Sequence, residues 1–191
     1  MPRQVDHEQR RREVGEAALR VIAHGGVAAA SVRSIAGEAG MSTSWVTHYF
    51  DGHDDVVLQA VAQLREYFES CCVGHNQGPP LGTLRAMLRA SVTSLEQAMA
   101  LLHLTAGPVP EAIRREVANL EKWCTGQLEE LITAAVKEGL VGPVDPQTAA
   151  RDLHLLVLGL RLATVADPGD WPPERLGDAV DRALTRMFPP A

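Results

Sequence analysis

Glycine breaks constrain the first third of this chain more than any other feature. Gly25-Gly26, Gly40 and Asp51-Gly52 divide residues 6–53 into one longer and two short segments, each with helical periodicity. In 6–24, Val14, Ala17, Ala18, Val21 and Ile22 return at spacings of three and four, as on one face of a helix. Gly25-Gly26 stops that pattern, as glycine does just past a helix end. Ser31 is a good N-cap for a short helix over 32–39 that buries Val32, Ile35, Ala36 and Ala39. Gly40 suits the left-handed position that ends this helix, Met41 plugs the corner, and Ser42 caps a third helix over 43–50 with Val46 and Phe50 inward. Two short helices joined by a tight glycine-containing turn predict a helix-turn-helix.

The rest of the chain reads the same way. Asp54 and Asp55 put two carboxylates on the first turn of a helix running to about Cys72, favourable for its dipole. Further helices are predicted over 81–106, 110–138, 146–166 and 172–188, with Pro110, Pro146 and Pro172 suited to first turns. No alternating strand pattern, internal repeat or low-complexity tract competes. Ala and Leu abound while aromatics are 4% of residues, so the predicted fold class is all-α. The expected organisation is a three-helix domain carrying the helix-turn-helix over 1–53 and a second helical domain over 54–191.

Composition excludes some classes. No apolar run reaches the roughly 18 residues of a membrane span, and the polar start is not a secretory signal. Three cysteines make no disulfide framework, so a reducing, cytoplasmic setting is expected. The net charge of −6 does not mark a nucleic-acid binder, but it is unevenly spread. Six arginines balance six acids over residues 1–53, so the remainder carries the whole excess. There is no nucleophile elbow, phosphate loop or HExxH, and no cofactor is expected. Cys71-Cys72 with His75 has poor spacing for structural zinc, so no metal site is assigned.

The segment SVRSIAGEAGMSTSWVTHYFDGHDDVVL, from Ser31 to Leu58, resembles the DNA-binding signature of the tetracycline-repressor (TetR) family. The match rests on Ser31, Arg33, Ile35-Ala36, Ala39-Gly40, Ser42 and His48-Tyr49-Phe50 before an acidic helix start. RRREVGEAALRVIAHGGV is similar to the family's first helix, and STSWVTHYF is similar to the choline-responsive betaine-pathway subgroup. The resemblance implies a recognition helix in the major groove, with Thr43 and Ser44 at its reading end and Trp45, Thr47, His48 and Tyr49 along it. Ser31, Ser42 and His53 are further DNA-contact candidates, and Arg33 suits guanine O6 and N7. Arg10, Arg11 and Arg12 are candidate phosphate contacts. Thr47 and His53 stand where the family usually has tyrosine and lysine. Trp45 replaces a small residue; it either packs at the groove mouth or meets a thymine methyl.

For the second half, the resemblance implies a small-molecule pocket and a homodimer formed by the last two helices. Candidate pocket residues are Phe68, Met87, Met99, His103, Trp123 and Leu128. Candidate dimer contacts are Leu153, Leu156, Val157, Leu160, Val180 and Leu184, with Gly159 permitting close approach. The expected partners are double-stranded operator DNA, an effector and a second copy of the chain, with no membrane. The expected function is ligand-relieved repression rather than enzymatic activity. The alternative is a helical interaction module with a vestigial helix-turn-helix.

Overall fold

The computed structural model describes residues 3–73 and 78–189, with side chains over 7–70 and 78–189. The Cys71-Cys72-His75 constellation therefore lies outside the described side chains. Among the described residues there are nine α-helices and no strand, as expected from the sequence. They are α1 (Arg3–Gly25), α2 (Val32–Glu38), α3 (Thr43–Tyr49), α4 (His53–Val73), α5 (Pro80–Thr93), α6 (Leu95–Ala106), α7 (Glu111–Lys137), α8 (Pro146–Ala166) and α9 (Pro173–Met187).

One local reading needs correction. The single helix expected over 81–106 is two, because Ser94 adopts an extended backbone (φ −96°, ψ 107°) between α5 and α6. Serine competes for backbone hydrogen bonds and so tolerates such a break, yet no glycine or proline announces it. A 3-10 turn, Val27–Ala29, also fills the stretch before Ser31.

The chain forms two compact units. The first comprises the described residues up to Glu66 together with Glu96–Leu120; the second comprises Tyr67–Leu95 with the described residues from Glu121 onward. In the first, α1 packs on α2 and α2 on α3. Val14, Ala17, Ala18, Ile22, Ile35, Ala36, Val46 and Phe50 are all buried, while Val32 and Ala39 are only half-buried. Gly15 allows α1 and α4 to approach closely, since a Cβ there would stand 2.5 Å from Cγ of Gln63.

In the second unit, Leu84, Met87, Leu88 and Val92 of α5 share a core with Leu128 and Ile132 of α7, Leu153, Val157 and Leu160 of α8, and Leu176, Val180 and Leu184 of α9. The start of α8 is set by Asp145, whose carboxylate accepts from the Thr148 amide at 3.2 Å and from the Thr148 hydroxyl. Those hydrogen bonds hold the Asp145 pKa below the ordinary carboxylate value. A depressed folded-state pKa contributes stability above the unfolded value, and that contribution is lost as pH falls through the folded one. We expect acidification through the carboxylate range to lower the amide-exchange protection factors, referred to intrinsic rates at each pH, at Gln147–Ala149. An Asp145→Asn variant should show a much flatter pH response in the same experiment.

Candidate nucleic-acid interface

The helix-turn-helix is built by local chemistry that the sequence specifies. Ser31 caps α2, its hydroxyl accepting from the Ser34 amide at 3.1 Å. Gly40 takes φ +65°, a conformation that costs other residues a Cβ clash. With it, the Met41 amide donates back to the Ala36 carbonyl at 2.9 Å and the Gly40 amide to Gly37 at 3.2 Å, closing the C-terminus of α2. Ser42 then caps α3, accepting from the Trp45 amide at 3.2 Å.

This geometry gives α3 two faces. Val46 and the following Phe50 turn inward, while Thr43, Ser44, Thr47 and His48 are exposed on the other side. Trp45 and Tyr49 lie at the boundary, half-buried, with ring centroids 4.3 Å apart. Tyr49 also packs against His7 at 4.9 Å and edge-on to His48 at 4.8 Å. The Trp45 indole is thus packed against Tyr49 at the edge of the exposed face. Arg33 is exposed on the first turn of α2.

Several candidate hydroxyls are engaged within the motif. The Thr47 hydroxyl donates back to the Thr43 and Ser44 carbonyls at 3.1 and 3.2 Å, and Ser44 and Ser42 hydroxyls are 3.0 Å apart. His53 is half-buried, with Nδ1 2.9 Å from an Asp54 carboxylate oxygen and Nε2 3.4 Å from the Val27 carbonyl. A groove of about 440 Å³ runs beside α3, lined by His7, Arg10, Gly40, Met41, Ser42, Trp45 and Tyr49.

Residues 16–60 match the model of the bacterial regulatory proteins of the tetR family. Residues 80–189, more than half of the chain, match the C-terminal model of BetI-type transcriptional repressors. The chain belongs to the tetR family. That membership puts it among regulatory proteins rather than enzymes. It is 44% identical over 66 residues to the HTH-type transcriptional regulator PksA of Bacillus subtilis (strain 168), covering 35% of this chain and 32% of that protein. The chain therefore matches about a third of the length of that relative. In fold it is similar to a TetR transcription regulator from Haloarcula marismortui ATCC 43049, with TM-score 0.79, 23% identity and coverage of 94% and 97% of the two chains. It is also similar to AibR in complex with isovaleryl coenzyme A and operator DNA, with TM-score 0.71, 24% identity and coverage of 95% and 100%.

In this tetR-family chain the six candidate pocket residues do not gather in one unit. Phe68, Met87, Trp123 and Leu128 belong to the second; Met99 and His103 belong to the first, where His103 lies against Gly26. Arg161, not among the candidates named from the sequence, is only 7% exposed. Its Nε donates to the Ser91 carbonyl at 3.0 Å, its guanidinium lies 5.1 Å from the Phe68 ring centre, and Nη1 is 3.9 Å from Glu121. Glu121 in turn stands 3.0 Å from Nε2 of His154. One arginine inside the apolar run LHLLVLGLRLATV was the available signal.

The dimer-contact assignment needs correction. Leu153, Val157, Leu160, Val180 and Leu184 fill the core of their own unit, and Leu156 is half-buried against it. The outward stripe of α8 is Leu155 (64% exposed), Leu158 (37%) and Leu162 (56%), with exposed Gly159 between them. Spacings of three and four put these four residues on one helix face.

Proposed function

We propose that the protein is a transcriptional repressor that binds operator DNA as a homodimer through residues 1–53 and releases it on binding a small molecule. The observation that carries this reading is the capped α3, whose exposed Thr43, Ser44, Thr47 and His48 form one polar face, with Arg33 exposed on the first turn of the preceding α2. Such a face suits base-edge and phosphate contacts in the major groove. Ser31 and Ser42 serve first as caps, and Trp45, Tyr49 and His53 sit at the margins. A second copy docking on Leu155, Leu158, Gly159 and Leu162 would bury an apolar stripe and supply two recognition helices for two half-sites. Effector binding belongs to the second unit, on Phe68, Met87 and Trp123, with Arg161 beside Phe68. Occupancy of both ligand and operator in AibR supports the pairing of functions. The effector acts only if it favours one of two dimer conformations, and a coupling of about 1–3 kcal/mol would change operator affinity about 5–150-fold.

The reading is tested by titrating purified protein against its own upstream intergenic DNA at fixed salt, with a scrambled duplex as competitor. Specific binding should survive the competitor and weaken with salt. Arg33→Ala should lower affinity by about 1–3 kcal/mol and relax preference at one base position. The engagement of Thr47 and His53 within the motif favours one second reading, a helical interaction module with a silent helix-turn-helix. That module would bind both duplexes equally and weakly.

A further inference from the structure

Three consecutive arginines of α1 have three different surroundings. Arg12 pairs with Glu66 at 3.4 Å. Arg10 pairs with Glu13 at 2.9 Å and lines the groove beside α3 with Ser42 and Trp45. Arg11 meets backbone and ring groups instead. Its Nη1 donates to the Tyr49 carbonyl at 2.5 Å and its Nη2 to Oε1 of Gln59 at 3.4 Å. The same nitrogen is 4.0 Å from an Asp55 carboxylate oxygen, and the guanidinium carbon stands 4.3 Å from the centre of the Phe50 ring.

Tyr49 is the last residue of α3. Carbonyls in a last helical turn lack an intrahelical donor and carry the negative end of the helix dipole. A guanidinium there meets both needs, and its planar fork can stack on Phe50 while donating to two acceptors. Arg11 thus ties the C-terminal end of α3, the Phe50 corner and the first turns of α4 to α1 at one point.

We propose that Arg11 is a positioning residue that fixes the angle of the recognition helix, and that it makes no phosphate contact. The proposal rests on the DNA-binding reading above. Arg10, on the groove side, is the phosphate-contacting member of the run.

The test measures operator affinity across a salt series for wild type, Arg10→Ala, Arg11→Ala and Arg11→Lys, with amide exchange of α3 in parallel. Each phosphate contact adds about 0.9 to the slope of log affinity against log salt. Arg10→Ala should reduce that slope by about one. Arg11→Ala and Arg11→Lys should both lose about 5–30-fold in affinity at every salt concentration with the slope unchanged. Amide exchange over Val46–Phe50 should rise in both Arg11 variants, because lysine cannot reproduce the fork. A lower slope in Arg11→Ala with affinity restored by Arg11→Lys would make Arg11 a phosphate contact and overturn the proposal. Unchanged affinity in both variants would overturn it as well. If Arg11→Ala does not fold by circular dichroism, Arg11→Lys alone decides on the same criteria. If wild type binds no operator specifically, the DNA-binding reading fails. Arg11 positioning is then judged by α3 exchange, which must rise in Arg11→Lys for it to stand.

Discussion

Leu153→Ala should lower the unfolding free energy of the protein by about 2–5 kcal/mol, while Leu155→Glu, two residues along the same helix, should leave the protomer folded and monomeric. Leu153 is 1% exposed and packs in the core shared by α5, α7, α8 and α9. Deleting its side chain removes buried methyl groups and leaves a cavity that helices on several sides cannot fill. Leu155 is 64% exposed and belongs to the outward stripe with Leu158 and Leu162. A carboxylate there would lie unpaired in the proposed dimer interface, where desolvation is costly. Because dimerisation itself adds to apparent stability, the comparison is made in a monomeric Leu155→Glu background. Sedimentation velocity reads the mass, and denaturant titration reads the cost of adding Leu153→Ala. A Leu155→Glu protein that stays dimeric would show that the two copies meet elsewhere.

The second large effect is expected at Arg161. Burial pushes its pKa down, and the nearby Glu121 carboxylate works against that shift by favouring the charged form. A charge in this position is tolerable only while its partners remain. Arg161→Ala removes the donor to the Ser91 carbonyl, the cation over Phe68 and the counter-charge to Glu121 together. We expect a loss of about 3 kcal/mol or more, since breaking one side of a buried pair leaves the other uncompensated. Arg161→Met with Glu121→Leu should recover most of that loss, because apolar replacements of similar volume remove both desolvation costs. Denaturant midpoints at constant m-value measure all three proteins. A double variant no better than Arg161→Ala would mean that packing over Phe68, rather than charge pairing, makes Arg161 necessary.

How far the sequence carried these conclusions differs between elements for physical reasons. The helix-turn-helix was legible because its boundaries are local. Ser31 and Ser42 cap through bonds spanning three residues, and Gly40 supplies a conformation that its own lack of a Cβ makes accessible. The inward placement of Val46 and Phe50 followed from periodicity. The orientation of the arginine run did not. Successive helical residues point about 100° apart, and nothing local reveals that Tyr49 and Phe50 would receive Arg11 rather than Arg10. Helix α8 failed differently. Its run LHLLVLGLRLATV is apolar nearly all round, so periodicity could not separate the core-facing Leu153, Val157 and Leu160 from the outward Leu155, Leu158 and Leu162. The break at Ser94 was hidden because apolar spacing continues from α5 into α6 without glycine or proline.

The central claim is that paired copies of α3 read a DNA sequence, and selection from a randomised duplex pool at fixed salt tests it most directly. The account predicts enrichment of an inverted repeat with half-sites about one helical turn apart or a multiple of it. Wild-type protein should protect both halves, and Arg33→Ala should degrade the motif at symmetric positions. A pool that stays random after repeated rounds, with folded dimeric protein present, would contradict the account and leave the helix-turn-helix without a role in sequence recognition.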